Sequence, residues 1–210
     1  MPKIAVIAIK GGVGKTAISM GLASTLWAQG ETVTLIDADP QEGGSSTDWL
    51  RGVSAVADDD RITWVPAKSG TSALIEVGIE DSDGWVIVDT PRASLADPDV
   101  VTLARQMDLV IIPTSGNGPD VKSAAQTAYS LPPNTMIVFA RVDSRRLSEA
   151  YRYRNQLVET GFRVAGICVR ELAAIPHAYS DGHLPTIDDR TAADFVVLAS
   201  EVRTAITRRA

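Results

Sequence analysis

Three clusters of residues in the 210-residue chain could do chemistry together. The first is Lys10-Gly11-Gly12-Val13-Gly14-Lys15-Thr16-Ala17. Glycines in such a run let successive backbone N–H groups turn inward on phosphate oxygens, and a helix that follows aims its positive end at the same anion. The general phosphate-loop pattern asks for glycine, four residues, glycine, lysine and serine or threonine. Ile9 stands where the first of those glycines would fall, so the chain carries a variant. Lys15 is expected on the β- and γ-phosphates and the Thr16 hydroxyl on Mg²⁺. The second cluster is Asp37-Ala38-Asp39-Pro40-Gln41, whose two acids lie two apart on an extended segment and so share a face. Both carboxylates can point at one Mg²⁺–phosphate region. The third is Trp85-Val86-Ile87-Val88-Asp89, an apolar run ending in an acid that would bind Mg²⁺ through water.

These residues need a scaffold that delivers strand ends to one place. Short β-branched runs supply it: Lys3 to Ile9, Thr32 to Asp37, Trp85 to Asp89, Leu109 to Pro113, Thr135 to Ala140 and Arg163 to Cys168, with a weaker one at Ile62 to Val65. Several are apolar on consecutive positions, as in strands covered on both faces. Between them, Thr16 to Gln29, Pro98 to Gln106, Asp120 to Leu131, Ser148 to Thr160 and Thr191 to Arg208 carry apolar residues at helical spacing. The alternation predicts one α/β domain over residues 1–210: a doubly wound, mostly parallel sheet with helices on both faces. Ligands of such sheets bind beyond the carboxyl ends of the strands, where all three clusters fall.

Lys-Gly-Gly-Val-Gly-Lys-Thr resembles the deviant Walker A signature of the ParA/MinD family of P-loop ATPases. Asp37 to Gln41 is similar to that family's switch I motif, and Trp85 to Asp89 to its Walker B strand. The resemblance implies a P-loop NTPase fold and an ATPase that uses ATP and Mg²⁺, slow until a partner protein stimulates it. It assigns Lys10 as a lysine that reaches across a homodimer to the partner's nucleotide, Asp39 as the residue that positions the attacking water, and Asp37 as support for the Mg²⁺ site. Arg141, at the end of a later strand, matches a position that packs on the nucleotide base. Catalytic roles are thus expected of Lys10, Lys15 and Asp39. Nucleotide contacts are expected of residues 10–17 and Arg141, and metal contacts of Thr16, Asp37 and Asp89. Ala8, Ala17 and Arg92 depart from the family's usual Asn, hydroxyl and second proline. Arg92 is also the candidate for an arginine finger in cis.

The short ParA type, without an N-terminal helix-turn-helix, binds nucleoid DNA without sequence preference as an ATP-bound dimer and is released by a ParB-like or cargo-adaptor protein. That implies transport of a plasmid, a chromosome region or a protein body. Net charge is −6, but residues 1–140 hold 9 basic against 17 acidic residues and residues 141–210 hold 11 against 9. Arg145, Arg146, Arg152, Arg154, Arg170 and Arg203 are the candidates for phosphate contact in that second part. A single cysteine, Cys168, and two histidines argue against a disulfide framework or a histidine-rich metal site. No apolar run approaches the roughly 20 residues of a membrane span. The last helix has spacing suited to packing on the sheet, with only four residues after it. A cytoplasmic, nucleoid-associated protein without membrane contact is expected. The alternatives are a MinD-like membrane-associated ATPase and a P-loop kinase or synthetase.

Overall fold

The computed structural model describes residues 1–38, 60–67, 84–171 and 189–208. Its elements run β1 (Lys3–Val6), α1 (Lys15–Ala28), β2 (Val33–Asp37), β3 (Ile62–Pro66), β4 (Trp85–Asp89), α2 (Pro98–Gln106), β5 (Leu109–Thr114), α3 (Gly118–Ser130), β6 (Thr135–Val142), α4 (Leu147–Glu159), β7 (Val164–Arg170) and α5 (Asp189–Thr207). The seven strands form one sheet in the order β3-β2-β4-β1-β5-β6-β7, with every pairing parallel. The doubly wound α/β arrangement read from the alternation is the one present.

Consecutive apolar residues serve opposite faces. Ile87 packs with Ile18 and Leu22 of α1 and Phe195, Leu198 and Val202 of α5, whereas Val86 and Val88 pack with Leu103 of α2, Val121 of α3 and Ala150 and Leu157 of α4. Burial on both faces is the physical reason for an unbroken hydrophobic run in a parallel strand. β1 sits with β4 on one side and β5 on the other. The chain winds to opposite sides of β1, which opens a crevice at its carboxyl end.

Strand ends depart from the sequence reading in two places. The β1 ladder stops at Val6 rather than Ile9, because the backbone leaves the sheet there to begin the glycine loop, although Ile7 and Ala8 stay buried. β6 and β7 run on to Val142 and Arg170, through register shifts between Ile137 and Val142. Arg141 near the end of β6 pairs with Glu171, and Arg170 at the end of β7 pairs with Asp194.

Candidate nucleotide site

The loop from β1 to α1 takes its shape from two glycines in left-handed backbone, Gly12 (φ 75°) and Gly14 (φ 97°). A side chain disfavours that region. A Cβ on Gly14 would also stand 3.2 Å from Ala140 Cβ and 3.3 Å from Arg141 Cγ. Gly14 is the N-cap of α1 and offers no side chain to the first-turn N–H groups, and the turn contains no acid. α2 and α3 are different: Asp97 accepts from Asp99 N (3.0 Å) and Asn117 from Asp120 N (3.0 Å). The open, glycine-capped end of α1 is therefore available to an anion.

Lys15, buried at the first turn of α1, lies above the ends of β2 and β4. Asp37 and Asp89 are register partners there, and Asp89 pairs with Val6 on its other side. Burial pushes the Asp89 carboxyl up to about 7, against the Thr16 hydroxyl and the Lys15 ammonium, while Asp37 adds to the rise. Ser19 Oγ donates to Asp89 Oδ1 (3.1 Å). Oδ2 of the same carboxylate is buried with no hydrogen-bond partner. A buried, unsatisfied carboxylate oxygen beside a threonine hydroxyl and a second acid is a donor set suited to a hard cation. Among the described residues no group of three His, Cys, Asp or Glu could hold a metal alone. The fit is thus to Mg²⁺ arriving with phosphate oxygens, as is usual for that ion. Asp39, with Pro40 and Gln41, lies outside the described residues.

Lys10 is exposed and turns to Asp120 on the first turn of α3 rather than into the loop it begins. Ser115 and Asn117 donate to the same carboxylate. Burial raises the Asp120 carboxyl, but the hydrogen bonds from Lys10, Ser115 and Asn117 outweigh it and hold the group below its ordinary value. Arg141 has φ 54° and donates to Gly12 O (3.0 Å) through Nη1 and to Glu171 Oε1 (2.7 Å) through Nη2. Strained backbone of this kind concentrates at functional sites. Arg141, Asp143, Asn117, Asp120 and Glu171 line a cavity of about 400 Å³ beside the loop, a size typical of small-molecule sites.

The structure brings together the loop residues, Asp37, Asp89 and Arg141. It does not gather the six arginines. Arg145 binds Asp143, whose carboxyl those hydrogen bonds pull down to about 2, and Arg146 binds Glu149 (2.9 Å). Arg152 stands over the Tyr153 ring and Arg154 donates to Ala165 O (2.7 Å). Arg170 is paired with Asp194, and Arg203 bridges Gln29 and Glu31 over the Trp85 ring. Sequence reasoning missed Ser19 and Asp120. Ser19 lies one helical turn past Lys15 and so shares its face. Asp120 was legible only as the close of an Asn-x-Pro-Asp helix start.

A family model described as the CobQ/CobB/MinD/ParA nucleotide binding domain matches residues 4–186. The maintenance of carboxysome distribution protein A of Gloeobacter kilaueensis is 33% identical over 186 residues, which cover 85% of this chain and 81% of that protein. Among solved structures, the MinD cell division protein of Aquifex aeolicus superposes with a TM-score of 0.73 at 16% identity, over 97% of this chain and 98% of its own. A candidate plasmid partition protein of Borrelia burgdorferi B31, bound to AMPPNP, gives 0.70 at 17% identity over 97% and 99%. Seven parallel strands, an uncapped glycine-headed α1, a second lysine at the loop's start and a family match across most of its length lead to one conclusion: the chain belongs to the CobQ/CobB/MinD/ParA family of nucleotide-binding proteins.

Proposed function

We propose that the protein is an ATP-driven positioning ATPase that dimerises on ATP, holds DNA without sequence preference and lets go when a partner stimulates hydrolysis. Lys10 carries this reading. A cation at the lip of a phosphate loop, aimed away from its own cradle and parked on a carboxylate that Ser115 and Asn117 orient, is placed to be surrendered to a second copy's triphosphate. The identity to a carboxysome-distribution protein supports a cargo-positioning role.

In the reaction, the N–H groups at the head of α1 and the Lys15 ammonium hold the triphosphate in place, and most of the catalysis is positioning and charge neutralisation. Thr16 and Asp89, with Asp37 beside them, would hold Mg²⁺, which screens the charge of the phosphate oxygens when bound. Arg141 fastens the loop to the end of β6 through Gly12 O and lines the cavity assigned to the base. Asp39 is the proposed orienting group for water.

Light scattering on the purified chain tests the reading. ATP should double the mass of the wild type and of Asp39→Ala, with the latter dimer outlasting the former. Lys15→Ala should bind no ATP, and Lys10→Ala should bind ATP yet remain monomeric. A wild type that stays monomeric with saturating ATP and Mg²⁺ would remove the proposal.

A further inference from the structure

After β4 the chain leaves the sheet as Pro91-Arg92-Ala93 and folds onto the exit of β1. The Ala93 N–H donates to Ala8 O (2.9 Å) and Arg92 Nε donates to Ile9 O (2.8 Å). Ile9 is the residue immediately before Lys10, so the guanidinium sits at the lip of the phosphate loop, on the side where β4 delivers Asp89. Arg92 is exposed, and Nε is one of its five N–H donors. The other four, on the two terminal nitrogens, have no partner among the described residues. Arg145, Arg146, Arg170 and Arg203 differ in this respect, since each commits a terminal nitrogen to a carboxylate. The backbone stitch at Ala93 already holds the segment, so Nε fixes the direction of the side chain and leaves a forked pair of donors for an oxyanion.

We propose that Arg92 is a catalytic residue of the phosphoryl transfer, its terminal nitrogens neutralising charge on the γ-phosphoryl oxygens. The inference rests on the ATPase reading above. Water adds to the γ-phosphorus, the bond to the oxygen bridging the β-phosphate breaks with its electron pair leaving on ADP, and a proton of the water passes to solvent. ADP and inorganic phosphate result. Positive charge at the γ-oxygens matters most when that charge redistributes, so Arg92 stabilises the transition state more than bound ATP.

The test compares wild type with Arg92→Ala and Arg92→Lys in three measurements: single-turnover hydrolysis, affinity for a fluorescent ATP analogue, and affinity for ADP with and without aluminium fluoride. Arg92→Ala should lose about 100- to 1000-fold in hydrolysis, the scale of removing one transition-state donor. It should lose the same factor in affinity for ADP–aluminium fluoride, with ATP-analogue and ADP affinities unchanged. Arg92→Lys should recover a part, because a point charge cannot span two oxygens as the fork does. Unchanged turnover in Arg92→Ala overturns the proposal. So does a parallel loss of ADP affinity, which would mark Arg92 as a stitch of the loop alone. A wild type that binds no ATP overturns the nucleotide reading as well, and does so before any variant is made.

Discussion

Asp194 is buried on α5, and its carboxylate accepts from the backbone N–H of Arg170 (3.1 Å), from Arg170 Nε (2.9 Å) and from Nη2 (2.8 Å). Removing the guanidinium leaves a buried acid with one donor, and Arg170→Ala is expected to cost about 1–3 kcal/mol of stability. A shifted urea midpoint with unchanged slope checks it, and an unshifted midpoint would return Arg170 to the set of surface cations. Cys168 gives a second test at this scale. Burial pushes its thiol from an ordinary 9.0 up to about 11, against the pull of Arg154 and Tyr151. Between those values the unfolded chain releases the proton and the folded one keeps it, so stability falls as pH rises through that window. At pH 8 the native thiol should react with iodoacetamide far more slowly than in urea, and equal rates would refute its burial. Residue identity was enough to place Gly14, Lys15, Asp37 and Asp89 at one end of the sheet, since loop geometry and strand-end register follow from local pattern. It could not tell Arg170 from Arg163, because the partner that decides an arginine's role arrives from a distant element.

At the scale of elements, α1 and α5 meet where the helix has no side chain. A Cβ on Gly21 would lie 2.2 Å from the Phe195 ring, so the close approach of the two helices depends on a glycine in the middle of α1. Intrinsic propensity favours alanine at a helix interior by roughly 1 kcal/mol, and here packing overrides it. Gly21→Ala should destabilise the protein by about 1–3 kcal/mol through overpacking. Adding Phe195→Leu should recover part of that loss, so that the double mutant is less destabilised than the sum of the two single changes. Additive losses would mean the two helices do not touch as described. Helix periodicity placed both helices but said nothing of which glycine they share. β1 stopped short of its hydrophobic run for a related reason: past Val6, Ile7 still donates to Ile111 O (2.9 Å) and stays in the core, while Ala8 O accepts from Ala93 N–H (2.9 Å) as the chain turns into the loop.

The whole chain carries a net charge of −6, so on the proposed reading a lone protomer gains little from a polyanion until its cations are presented twice. Arg163 and Arg208 make no side-chain hydrogen bond or ion pair among the described residues. Arg163, just before β7, and Arg208, just after α5, share a groove of about 280 Å³ with Ser200 and Thr204, at the sheet edge opposite the phosphate loop. Polyanion binding at that edge leaves the nucleotide end uncovered for a second protomer. If each arginine neutralises one phosphate, an ATP dimer presents both residues twice. Arg163→Glu with Arg208→Glu should then flatten the slope of log affinity against log salt by about 3.6, at roughly 0.9 per contact. Nitrocellulose retention of duplex DNA with a non-hydrolysable ATP analogue, across a salt series, measures it. Arg145→Glu, by contrast, removes a cation already committed to Asp143 and should change the slope little. Reversal of that order would move the DNA face to the strand-exit side, beside the 3-10 turn at Ser144–Arg146. It would then compete with the dimer for the same edge, and ATP would weaken DNA retention instead of strengthening it.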